Sequence, residues 1–170
     1  MKRIALLLTA ALVIVFTACS VTQGLRKDVE VVNDPNDMMI EIKGVEGSAY
    51  ESDDDTAIKY FLRSFVSKED KSSNHQVYVR CDYPNDWRYY FRATYPGGNP
   101  AVFESLDRSF EGTRYVERMR VGITDDFLRK SSSGFSLIFY SETSNDFTIY
   151  LRKDQIVQQT AAVDSVIRSL

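Results

Sequence analysis

Hydrophobic and polar residues alternate over much of this chain, and the breaks in the alternation divide it into elements. Val29, Val31 and Val32 open a first β stretch, stopped by the turn composition Asp34-Pro35-Asn36-Asp37. Met38 to Val45 resumes as a strand with Ile40 and Ile42 on one face, and Glu46 to Asp55 reads as a polar loop ending in three aspartates. The period then changes. Ile58, Phe61, Leu62, Phe65 and Val66 recur at spacings of three and four, which predicts a helix over Thr56 to Lys68 with Asp55 at its N-cap. The run from Lys68 to Asn74 is a polar connector.

From His75 onward the period returns to two. Val77, Val79, Cys81 and Tyr83 alternate with Gln76, Tyr78, Arg80 and Asp82; after Pro84-Asn85-Asp86, the run Trp87, Tyr89, Phe91, Ala93 and Tyr95 alternates with Arg88, Tyr90, Arg92 and Thr94. Two such runs around a short turn predict an antiparallel hairpin over 76–95. Pro96 to Pro100 turns, a less regular β stretch runs to Phe110, and Glu111-Gly112-Thr113 leads into a strand from Tyr115 to Ile123. Thr124-Asp125-Asp126 starts one helical turn. Phe135 to Tyr140 and Phe147 to Leu151 are strands joined through Asn145-Asp146, and Asp154 caps a C-terminal helix with Ile156, Val163, Val166, Ile167 and Leu170 on its apolar face. The expected fold is therefore α+β: an antiparallel sheet of about six to seven strands with one central and one C-terminal helix packed on it.

The first 18 residues follow a different logic. Lys2 and Arg3 precede an uncharged apolar stretch, Ile4 to Ala18, too short for the roughly 20 apolar residues of a spanning helix, and this is the pattern of a secretion signal. Phe16-Thr17-Ala18-Cys19 resembles the lipobox of bacterial lipoproteins, with Phe16 where Leu is usual. The resemblance covers only the start of the chain. It implies a precursor cleaved before Cys19, lipid on the Cys19 thiol, and attachment to a membrane through acyl chains that each contribute about 0.8 kcal/mol per buried methylene. Ser20 lacks the inner-membrane retention character of an aspartate there, so the expected address is the outer membrane, facing the periplasm. Residues 19–28 form a short tether and 29–170 a single periplasmic domain.

Composition narrows the function classes. The chain has 170 residues; loss of Lys2 and Arg3 with the signal leaves 19 basic against 24 acidic residues, a net charge of −5, which argues against nucleic acid as a partner. Cys81 is the only cysteine besides Cys19, so with Cys19 acylated the fold has no intrachain disulfide. No catalytic motif stands out: there is one histidine, no HExxH, no GxSxG, no phosphate-binding glycine loop and no CxxC. On one strand His75 and Cys81 would lie roughly 20 Å apart at ~3.3 Å per residue, too far to share a proton. Cys81 shares the parity of Val77 and Val79 and is expected in the core; His75 is expected to be solvated. The three aspartates suit a helix start better than a calcium loop. No cofactor or metal site is expected, and the catalytic residues, if any exist, are not legible.

One surface does stand out. Centring the hairpin turn on Asn85 places Asp82 opposite Arg88, Arg80 opposite Tyr90 and Tyr78 opposite Arg92, so Tyr78, Arg80, Arg88, Tyr90 and Arg92 would tile one face, with Arg114, Arg118 and Arg120 repeating the theme later. Arg and Tyr are enriched at binding hot spots, and the guanidinium fork suits carboxylates and phosphates. A solvated sheet face gives the same alternation without any ligand. The sequence thus points first to a non-enzymatic binding or accessory domain contacting another envelope component, a protein by preference. Second comes a binder of a small anionic ligand such as a lipid headgroup or a peptidoglycan fragment, and last an envelope hydrolase.

Overall fold

The computed structural model describes residues 25–51 and 55–170. The signal segment, Cys19, all of the tether before Leu25, and Asp53 and Asp54 lie outside the described residues. The fold is α+β and mostly antiparallel sheet. The larger sheet contains β1 (Glu30–Val32), β2 (Met39–Lys43), β3 (Gly47–Glu51), β4 (Thr56–Ser67), β5 (Ser73–Tyr83), β7 (Val102–Glu111) and β8 (Arg114–Ile123). Its order is β1-β2-β4-β5-β8-β7, with β3 continuing the line of β2 along the same edge of β4. A smaller sheet, β10-β9-β6, is built from β6 (Tyr90–Thr94), β9 (Gly134–Ser141) and β10 (Phe147–Arg152). Two helices complete the chain: α1 (Asp125–Lys130) and α2 (Lys153–Ser169).

The inner face of the large sheet is covered twice. Ile58, Tyr60, Leu62, Val77, Val79, Met119 and Val121 pack against Tyr90, Leu137, Phe139, Phe147 and Ile149 of the small-sheet side. Farther along, Ile40, Ile42 and Val66 pack against Val163 and Val166 of α2. Cys81 is in the first of these cores, as its parity requires. The outer face carries no helix or second sheet among the described residues.

Three expectations are corrected. The segment Thr56 to Lys68 is the long strand β4, not a helix, and it lies between β2/β3 and β5 in the middle of the sheet. Its buried set is Thr56, Ile58, Tyr60, Leu62, Ser64 and Val66, a strict period of two. The period was masked because Tyr60 and Ser64 are polar members of the inner face while Phe61 and Phe65 decorate the outer one. Aromatic and β-branched residues such as Thr56, Ile58, Tyr60 and Phe61 also favour the pleated surface. Glu46 to Asp55 is not loop throughout, because β3 pairs with β4 from Gly47↔Tyr60 to Glu51↔Thr56.

The third correction concerns the 76–95 hairpin, which does not form. β5 pairs with β4 and β8, whereas β6 pairs with β9 in the other sheet. Tyr89 sits at φ 55°, a left-handed conformation that ends the alternation and swings the chain between sheets. Elsewhere the pattern holds. The 134–152 pair forms with Phe139 opposite Phe147, and α1 starts where Thr124 Oγ1 accepts from Phe127 N at 3.2 Å. Helix α2 begins slightly earlier than expected, with Arg152 at its N-cap and Asp154 in the first turn.

Candidate functional site

The open outer face of the large sheet gathers the chemistry-bearing side chains. Strand register sets Tyr78 opposite Phe61 on one side and Arg120 on the other, and Arg80 opposite Lys59 and Arg118. The rings of Phe61 and Tyr78 lie 5.1 Å apart, and Arg63 lies over Phe65 at 4.7 Å. Of the five residues expected to tile one face, only Tyr78 and Arg80 are on this surface. Arg88 and Tyr90 are buried, at 3 % and 1 % exposure, and Arg92 is exposed on β6, stacked over Tyr140 at 4.1 Å. Arg114, Arg118 and Arg120 do join Tyr78 and Arg80, because β8 is the real neighbour of β5.

Each outer-face arginine already has a carboxylate. Arg63 pairs with Glu41, Arg80 with Asp82 and Glu111 at 2.9 Å, Arg118 with Asp107 at 2.7 Å and with Glu111, Arg120 with Glu104, and Arg114 with Asp55 at 2.8 Å. The guanidinium groups of Arg118 and Arg80, with the Ser109 hydroxyl, pull Glu111 down to about 2. Among the described residues these guanidinium groups are each neutralised within a few ångströms, which leaves little basic field for an anionic ligand. The N-terminal end of the described chain is fastened to its rim: Arg26 donates to Gly44 O at 3.0 Å, pairs with Glu46 at 3.3 Å, and lies over the Phe61 ring at 4.7 Å.

Two depressions interrupt the face. One, of about 310 Å³, is lined by Arg26, Glu41, Lys43, Phe61, Arg63 and Tyr78. The other, of about 240 Å³, opens where Gly122 supplies no side chain, between Phe65, Gln76, Val102, Glu104 and Arg120. Arg120 Nη1 donates to Gln76 Oε1 at 3.3 Å, yet the buried Nε2 of Gln76 has no acceptor among the described residues. A buried donor left this way costs about 1–3 kcal/mol, so it calls for an explanation.

Beneath the face lies a buried polar chain that the sequence did not announce. His75 is 4 % exposed, not solvated. Gln159 Nε2 donates to Ser64 Oγ at 2.7 Å, so the Ser64 hydroxyl hydrogen turns to His75 Nδ1, 2.8 Å away. The ring proton is then on Nε2, facing Asp125 at 3.1 Å and Ser73 at 3.2 Å. Burial pushes the His75 pKa below its usual value, and Asp125 opposes that shift. Serine, histidine and aspartate in hydrogen-bonded order have the composition of a nucleophilic relay. Here Ser64 is 0 % exposed and covered by Gln159, so the hydroxyl meets no substrate and the chain ties β4, β5, α1 and α2 together.

A second buried group, Glu117, explains the missing hairpin. Its carboxylate accepts from Arg88 N at 3.1 Å, Tyr89 N at 2.9 Å, Tyr90 N at 3.2 Å and Arg108 Nε at 3.0 Å, and from the Tyr83 hydroxyl. Three consecutive N–H groups converging on one anion form a nest. The bond to Glu117, together with burial, raises the Tyr83 pKa, burial being the larger cause.

Among the described residues no cluster of three or more His, Cys, Asp or Glu is placed to hold a metal ion, and no helix is long and apolar enough to cross a membrane. No family model, curated protein or solved structure matches this chain.

Proposed function

We propose that this chain is an envelope lipoprotein, anchored through lipid on Cys19, whose domain docks a protein partner on the outer face of the large sheet. The observation that carries this reading is the face itself: a broad open sheet surface with Phe61, Phe65 and Tyr78 set among arginines that are individually neutralised. Aromatic and Arg groups inside a mixed-charge surround are the anatomy of a protein interface. A phosphate or carboxylate ligand would instead have to displace an internal carboxylate at each arginine, which disfavours the small-anion reading. Arg26 stands seven positions beyond Cys19, a reach of about 25 Å at ~3.5 Å per residue, so the rim holding Arg26 stays near the bilayer.

Photocrosslinking in native membranes tests this. A photoreactive residue replacing Lys59 or Tyr78 is expected to trap one protein species, while the same residue replacing Val157, exposed on α2, does not. Equal trapping from both positions, or trapping only from Val157, would overturn the assignment of the face. A Cys19→Ser variant should leave the membrane fraction.

A further inference from the structure

We infer that the 240 Å³ recess at Gly122 is a pocket for a primary carboxamide, the side chain of an asparagine or glutamine presented by a polypeptide. The inference rests on the reading of the outer face as a contact surface for a protein and names the group that this part of it takes. The volume is that of about eight water molecules at ~30 Å³ each, room for one medium side chain.

Asn74 and His75 also line the recess, and it is Gln76, Glu104 and Arg120 that set the ligand's chemistry. Gln76 is 6 % exposed and its Nε2 donor is unpartnered among the described residues. Glu104 receives both of its hydrogen bonds, from Arg120 Nε at 2.9 Å and from Nη2 at 2.5 Å, on Oε2 alone, so Oε1 remains for another donor. One guanidinium, that of Arg120, touches both Gln76 and Glu104, so the unpartnered donor and the spare acceptor belong to two residues joined through it. A primary amide presents a carbonyl and an N–H side by side and matches that pair in a single contact. A trans peptide unit points the two groups in opposite directions, and a carboxylate brings no donor for Glu104. The Arg120–Glu104 pair is internally neutral, so a neutral ligand enters without an uncompensated charge. Phe65 supplies an apolar wall for the methylenes that carry the amide. Nε2 is buried, but the contact holding Gln76 Oε1 to Arg120 is long, at 3.3 Å, so a turn of the Gln76 amide presents Nε2 to an entering amide while the Arg120–Glu104 pair stays.

The test is an NMR titration of the isotope-labelled domain (residues 20–170) with N-acetyl-glutamine methylamide, and with its glutamate and methionine counterparts. The glutamine compound is expected to shift the Gln76 side-chain amide and the Gly122 backbone amide saturably in the millimolar range. The other two should bind at least fivefold more weakly. Gly122→Val fills the recess, its Cβ landing in ordinary contact with Val102 at 3.5 Å, and should abolish the shifts with the fold intact. Gln76→Met, which removes the unpartnered donor, should weaken binding at least tenfold. No saturable shift at 50 mM, or equal shifts from all three compounds, overturns the pocket. A face that still crosslinks to a partner after such a result would leave the interface reading standing and remove only the carboxamide.

Discussion

Removing the Glu117 carboxylate should be among the most damaging single changes in this protein. The group is 1 % exposed and accepts from three backbone N–H groups, one tyrosine hydroxyl and Arg108. In Glu117→Ala the amides of Tyr89 and Tyr90 lose their bonds to the carboxylate, and each bond to a charged acceptor is worth about 1.5–3 kcal/mol. Arg88 N keeps a 3.2 Å contact to the Tyr83 oxygen, so it adds less. The Arg108 side chain is 36 % exposed, so its charge turns to water and adds little, and the lost bonds together come to about 4 kcal/mol. For a domain of this size each kcal/mol lowers Tm by about 2–4 °C, which predicts a drop of about 8–16 °C in calorimetry of the soluble domain. Glu117→Gln keeps one acceptor oxygen but turns an NH2 toward the remaining donors, and should lose about half as much. Amide exchange at 88–90 should accelerate in both variants. A Glu117→Ala protein melting within about 2 °C of the parent would refute the idea that this carboxylate fixes the crossover between the sheets.

Other outcomes follow from the same reasoning. Arg88 and Arg92 look alike in sequence, but Arg88→Ala removes a buried guanidinium bonded to Thr56 at 2.6 Å and should cost about 3 kcal/mol, while Arg92→Ala should cost under about 1 kcal/mol; urea midpoints decide. His75 has a folded pKa below its unfolded value, so the unfolded chain binds more protons: stability is fully present above about pH 6.5 and falls as pH drops toward the folded pKa. Asp125, also lowered, adds a loss of the same sign at more acid pH, and Arg129 with Asp164 is the other charged pair near the ring. His75→Gln should flatten the profile between pH 7.5 and 5.5, and a parent protein equally stable at both would contradict the buried neutral ring. Gly44→Ala should cost about 1–3 kcal/mol, because its Cβ would come within 2.6 Å of Gln159 Oε1 and 3.0 Å of Leu62 O; an unchanged Tm would show that α2 yields freely there.

Much of the fold was legible because period two is local information. Met119, Val121 and Ile123, or Phe135, Leu137 and Phe139, alternate cleanly, and the structure buries them. The failures have a common cause: polar residues placed on buried faces. Tyr60 and Ser64 concealed the alternation of β4 and let Phe61 and Phe65 complete a false helical stripe. His75 and Glu117 are buried by partners far away in sequence, Asp125 and the 88–90 backbone, which no local pattern reports. The arginine–tyrosine surface was half readable. The parity of Tyr78 and Arg80 was correct, whereas their neighbour is β8 rather than the next run along the chain, since strand pairing is decided by the whole sheet. Trp87, Tyr89 and Phe91 keep the period of two straight through the crossover, so no local pattern in the sequence marks it.

The decisive experiment is capture of the intact protein from native membranes in mild detergent, followed by mass spectrometry of the N-terminus and of everything bound. The expected result is a first residue of acylated Cys19 and one protein in near-equal amount, lost on Tyr78→Ala with Phe61→Ala but retained with Val157→Ala. An unacylated N-terminus, or a partner that survives loss of both outer-face aromatics, would contradict it.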